Sequence, residues 1–136
     1  MTELEKGYVA GIIDGEGSIS LTKIHASDKF RAPYIEVTST TYAILEKLKE
    51  LYGGTISKVT RKEEHWKQAY KWAISYNKVI ELLEDVSDYL LEPKKKTRAK
   101  LILNEYKLLT PRNGKYSAEG IQKKLDFEKR FFEIEE

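Results

Sequence analysis

Two acids and a run of bases are the residues with chemistry to offer. Asp14 and Glu16 alternate with Gly15 and Gly17 in "VAGIIDGEGSIS", residues 9–20, and Lys94, Lys95, Lys96, Arg98 and Lys100 crowd "PKKKTRAK", residues 93–100. Three kinds of site compete for the acids. A calcium loop opening at Asp14 needs glycine at its sixth position and glutamate at its twelfth, where Ile19 and His25 stand. A dinucleotide loop needs a strand before the glycines and a third glycine where Ser20 stands, yet the residues before Asp14 have helical spacing. What survives is a sparse divalent-cation site, because Mg²⁺ takes one or two carboxylates and completes its shell with water and substrate phosphate. The bases suit the phosphates of a nucleic acid; a solvated helix surface has the same makeup.

The acids stand where a helix gives way to a strand. Gly7, Ala10, Gly11 and Asp14 share one face at helical spacing, with Val9, Ile12 and Ile13 among them. Carboxylates at the carboxyl end of a helix meet its negative pole, so they are costly until a cation arrives. Gly15 and Gly17 are expected to end the helix through the left-handed conformation. A face of small residues admits a second backbone. If that backbone belongs to a second copy of the chain, a twofold axis brings two Glu16 carboxylates together.

Beyond the acids, polar and apolar residues alternate in "SISLTKI", "YIEVTS", "TISKVTR" and "KQAYKWAIS", which predicts four strands in two hairpins. Helices are expected to start with Thr41 and Asn77 as caps, to continue through "KTRAKLILNEYKLL", and to end with one more over residues 118–133. The order αββαββα over residues 3–109, with a helical tail over 117–136, makes a single α+β domain with a four-stranded antiparallel sheet. Ile19, Leu21, Ile35, Val37, Ile56, Tyr70, Trp72 and Ile74 would face the helices, and Ile121, Leu125 and Phe132 would pack the tail on that core. The opposite sheet face would show Ser18, Ser20, Thr22, Tyr34, Glu36, Thr38, Ser57, Arg61 and Lys71. Such a surface could read base edges in a major groove, although an ordinary solvated sheet face has the same residues.

Composition narrows the setting. The chain has 136 residues, a net charge of +2 and no cysteine, so one domain is expected, without disulfides or thiolate metal sites. The opening MTELEK lacks the basic start and apolar run of a signal peptide, and no apolar stretch is of bilayer length. A soluble intracellular protein with no membrane partner is the expectation.

"VAGIIDGEG", residues 9–17, preceded by Tyr8, resembles the LAGLIDADG motif of homing endonucleases, and the αββαββα order resembles that family's core. The resemblance implies that Glu16 is the metal-binding catalytic acid, with the Gly15 carbonyl as second ligand and Mg²⁺, or another divalent cation such as Mn²⁺, as cofactor. It implies that Lys95 stabilises charge on the phosphate or helps to activate water, and that Ser39, at the end of the second strand, organises water. Gly7, Ala10, Gly11 and Asp14 would form a helix interface in a homodimer. The polar sheet face, with Lys94, Lys96 and Arg98, would hold double-stranded DNA. The implied activity is cleavage of both strands across the minor groove of a long, nearly palindromic site, leaving 3′ overhangs. The implied setting is the cytoplasm or nucleoid of a prokaryote, or an organelle. Domains of this kind also serve as non-cleaving DNA-binding regulators, or as maturases that splice intron RNA. A nuclease built on a strand-borne acid pair followed by Glu-x-Lys finds no match, since Glu36-Val37-Thr38 lacks the lysine.

Overall fold

In the computed structural model, which describes residues 1–60, 63 and 65–134, helix α1 (Glu3–Glu16) runs directly into strand β1 (Gly17–Thr22). Thr2 and Glu5 close a capping box at its start. Its end departs from expectation: Gly17 is extended, with φ −92°, not left-handed. Space, not handedness, requires glycine there, because a Cβ would stand 2.9 Å from the Ile13 Cα. That closeness lets the strand leave the helix end without a loop.

The four strands pair antiparallel in the order β1-β2-β4-β3, with β2 at Ala32–Ser39, β3 at Thr55–Lys58 and β4 at Tyr70–Ser75. Helix α2 (Tyr42–Tyr52) joins the two hairpins, and α3 (Asn77–Val86) follows β4. One sheet face carries Ile19, Leu21, Ile35, Val37, Trp72 and Ile74, all buried in a core with Val9, Ile13, Leu45, Leu83 and Ile102; Ile56 and Tyr70 pack at its margin. The Trp72 indole N–H donates to the Gly53 carbonyl at 2.8 Å. Gly53 and Gly54 make that approach at φ 76° and 90°, a conformation other residues rarely adopt. Among the described residues no helix is long and apolar enough to cross a membrane.

Helix starts follow other rules than the expected caps. Thr41 makes no side-chain cap on α2; its backbone N–H donates instead to Ser39 Oγ at 2.9 Å. Asn77 is already inside α3, entered from Tyr76 at φ 53°. A 3₁₀ turn (Ser87–Tyr89) follows, and Pro93 opens helix α4 (Pro93–Leu101). Glu92 caps α4, accepting from the Lys94 and Lys95 N–H groups at 3.2 and 2.7 Å.

Helix α5 (Ala118–Phe132) packs on the core, but not through the expected stripe. Leu125 and Phe132 are about half exposed, whereas Lys124, Phe127, Glu128 and Phe131 are buried. Charged members disguised that stripe in the sequence. Glu128 accepts from the Arg31 backbone and guanidinium at 3.0 and 3.2 Å. The Lys124 ammonium bonds the Thr110 hydroxyl and lies 4.1 Å from the centre of the Tyr106 ring.

Burial draws the Lys124 pKa from 10.5 down to about 8, against the opposing pull of Glu128. Across that interval the unfolded chain binds a proton that the folded chain has lost, so stability rises with pH from about 8 upward. Above pH 10 the slope reverses, because burial raises the pKa of Tyr52 and Tyr106 and the unfolded tyrosines ionise first. Lys124→Met is expected to abolish the rise, which urea unfolding across this interval measures.

Candidate active site and nucleic-acid interface

Glu16 is the last residue of α1 and is exposed. Beneath it two helix ends are locked together by opposite charges. Lys95, in the first turn of α4, donates from Nζ to the Ile13 and Asp14 carbonyls at 2.9 and 2.7 Å. The Asp14 carboxylate in turn accepts from the Leu91 and Glu92 N–H groups at 3.0 and 3.1 Å. An ammonium thus meets the negative pole of α1, and a carboxylate meets the positive pole of α4. The chain itself supplies part of the positive charge that acids at a helix C-terminus demand. Glu16 remains beyond that lock, facing solvent.

A metal would find a sparse site here. Among the described residues there is no group of three or more His, Cys, Asp or Glu able to hold one. The Glu16 carboxylate and the adjacent Gly15 carbonyl are both hard oxygen donors, which fits an Mg²⁺-class cation and not zinc. Such a cation would need water, phosphate or a second chain to complete its shell.

Several expected site residues take other roles. Ala10 is 1% exposed and belongs to the chain's own core, and the Asp14 carboxylate is committed to α4, so neither is open to a partner helix. The open strip of α1 is instead Leu4, Gly7, Tyr8 and Gly11, about a sixth of a turn around the helix from the expected face. A Cβ added at Gly7 or Gly11 would meet nothing within 4 Å, and Leu4 is 84% exposed. Leu4 and Tyr8 line a shallow apolar hollow with Lys47 and Leu51. Arg98 also turns inward: it donates to the Ile19 carbonyl at 3.0 Å, and its guanidinium lies 4.8 Å from the centre of the Phe131 ring. Burial lowers its pKa, and its charge anchors β1 and α5 to α4 instead of facing a phosphate. Lys94 and Lys96 lie partly exposed on either side of Lys95.

The register lays out the open sheet face in rows. Thr38, Lys71 and Ser57 form the first; Ser18, Glu36, Ala73 and Thr55 the second; Ser20, Tyr34 and Ser75 the third; Thr22 lies beyond. Thr55, Ala73 and Ser75 complete a surface the alternation reading left partial, and Arg61 lies outside the described residues. Gly17 pairs with Val37, so the first row stands at the Glu16 end of the sheet. Ser39 lies at that end too, on the helix side with Ile35 and Val37, its Oγ holding the Thr41 N–H. Lys71 and Glu36 form an ion pair across β2 and β4 at 3.8 Å. Partial burial, with Glu36 beside it, raises the Tyr34 pKa.

No protein-family model matches the chain, and no curated protein sequence matches it significantly. Solved structures do. The homing endonuclease I-CvuI, crystallised with its target and calcium, is similar at a TM-score of 0.72 and 20% identity, over 98% of this chain and 83% of that one. The archaeal intron-encoded homing endonuclease I-Vdi141I, complexed with DNA, reaches 0.63 at 19% identity, over 98% of this chain and 86% of its own. The LAGLIDADG homing endonuclease I-GzeII, in complex with a DNA target, also reaches 0.63 at 19%, but only 49% of its chain is covered. This chain therefore has the LAGLIDADG fold, as its motif implied.

Asp14→Ala leaves two backbone N–H groups without their acceptor and is expected to cost about 1–2 kcal/mol. Lys95→Met, which uncovers the two α1 carbonyls, should cost a similar amount. Urea midpoints of both variants against the parent check these values.

Proposed function

We propose that this chain is a homing endonuclease of the LAGLIDADG family, hydrolysing phosphodiesters in double-stranded DNA with a divalent metal. The observation that carries the reading is the position of Glu16. It is exposed at the end of α1, next to a lysine fixed on the same helix end, at the rim of a polar sheet face. In LAGLIDADG-fold structures such as I-CvuI and I-Vdi141I this fold is seen on DNA.

Glu16 and the Gly15 carbonyl would hold the cation, Mg²⁺ in the first instance. When bound, such a cation supplies Lewis acidity at a phosphoryl oxygen and acidifies water. The protein's own residues do the rest. Lys95, held by the Ile13 and Asp14 carbonyls, keeps a positive charge beside the acid, where negative charge gathers on a phosphate under attack. Lys94 and Lys96 would contact the DNA backbone, and the sheet rows would seat the bases. Ser39, at the same end of the sheet, would order water.

One Glu16 per chain serves one strand, so a homodimer is the working unit, built on the open strip of α1 from Leu4 to Gly11. Coverage of most of the I-CvuI chain but about half of I-GzeII supports one such unit per chain. Two sites across the twofold axis would cut a long, nearly palindromic target and leave 3′ overhangs.

A plasmid carrying the uninterrupted junction of the gene's host locus tests this. Wild type with Mg²⁺ is expected to make a double-strand break, and EDTA to abolish it. Glu16→Gln should lose more than about a hundredfold in cleavage rate while still shifting that DNA. If neither protein cuts and both bind, the chain is a non-cleaving reader or an RNA maturase.

A further inference from the structure

Glu36 is out of place on a surface meant for DNA. It stands in the second row of the open face, flanked by Ser18 and Ala73, where a carboxylate is repelled by nearby phosphates unless a base edge repays it. It also does not stand alone. Lys71, one row closer to Glu16 on the neighbouring strand, holds its ammonium 3.8 Å from the Glu36 carboxylate, and both side chains remain more than a third exposed. An acceptor and a donor are thus fixed side by side, aimed off the same face.

Major-groove edges offer one close complement to that pair. Cytosine presents an amino donor, and its guanine partner presents two acceptors, O6 next to it and N7 beyond. A carboxylate takes the amino group while the ammonium spans O6 and N7. An A·T pair places its single donor between two acceptors, with a methyl group at the edge, so one oxygen of the carboxylate would face an acceptor. We infer that Glu36 and Lys71 together select a G·C pair, with cytosine under Glu36 and guanine under Lys71, as the innermost base pair read by the sheet in each half-site.

The location follows from the register. Lys71 shares a row with Thr38, one residue past the Val37–Gly17 pair, so Glu36 and Lys71 stand next to the Glu16 end. Rows spaced two residues apart lie about 7 Å from one another along the strands, but the 3.8 Å ion pair brings the two side-chain ends together, close enough to meet one base pair. The selected pair is therefore the first that the sheet reads outward from the Glu16 end, and a twofold dimer repeats it symmetrically. The ion pair also explains how the acid is tolerated in the free protein: each charge is the other's partner until bases replace them. This assignment rests on the DNA-binding reading above, and its test separates the two.

Randomised double-stranded DNA, selected for binding to the full chain in Ca²⁺ and then sequenced, reads the preference directly. Wild type is expected to recover sites with a symmetric G·C pair at the innermost read position. Glu36→Gln should shift that position toward A·T, since glutamine suits adenine, and Lys71→Met should lose guanine there, each by about tenfold. Lys123→Ala, on the exposed side of α5 and away from the sheet face, should leave that position unchanged. A wild-type preference for A·T there, or a Glu36→Gln variant that weakens all sequences equally, overturns the inference while leaving DNA binding intact. Failure of wild type to enrich any sequence overturns both.

Discussion

The exchange of charges between the end of α1 and the start of α4 is the constraint on which the rest of the site depends. Lys95 reaches from α4 to the carbonyls of Ile13 and Asp14, while Asp14 reaches from α1 to the N–H groups of Leu91 and Glu92. Each helix dipole is answered by a charge from the other helix, so the two ends cannot slide apart without exposing four hydrogen-bonding groups. Glu92 extends the lock by capping the Lys94 and Lys95 N–H groups, which fixes the backbone that carries Lys95. Glu16 is the next residue but one after Asp14, and its place is set by this arrangement.

The same helix end sets the sheet. Because Gly17 lets the backbone pass against Ile13, β1 begins at once, and its first residue pairs with Val37. The rows of the open face are therefore counted from Glu16 with no flexible segment between. In the proposed function that rigidity couples reading to cutting: the distance from the acid to each row is a property of backbone pairing, not of a loop. Arg98 reinforces it from below, tying the Ile19 carbonyl of β1 to the α4 helix that holds Lys95.

Much of this was legible in the sequence, for physical reasons. Two-residue alternation marks strands half-buried on one face, and "VAGIIDGEG" carries both the helix and its exit, so the four strands and the place of Glu16 at the helix end followed from local pattern. Lys95 was singled out from its neighbouring bases only by the family resemblance. What escaped was nonlocal. Asp14 finds its partners 77 and 78 residues away, which no spacing reveals. Ala10 and Gly11 are both small neighbours on α1, and only packing tells that Ala10 turns to the core while Gly11 turns to solvent. Arg98 sits in a run of bases that all look alike in sequence, yet it alone stacks on Phe131. The α5 stripe was masked because Lys124 and Glu128 are charged residues at core positions, each tolerated through a specific partner, Thr110 and Arg31.

In the proposed function, the Glu16 carboxylate and Gly15 carbonyl at the locked end of α1 would receive a divalent cation at the DNA. Replacing Mg²⁺ by Fe²⁺ and adding ascorbate and peroxide makes a bound ion cut the polypeptide next to it, and mass spectrometry of the fragments locates the cut. With DNA present, the account predicts scission confined to the backbone around Gly15–Gly17 and its loss in Glu16→Gln. Scission centred elsewhere in the chain, or unchanged by that substitution, would contradict it.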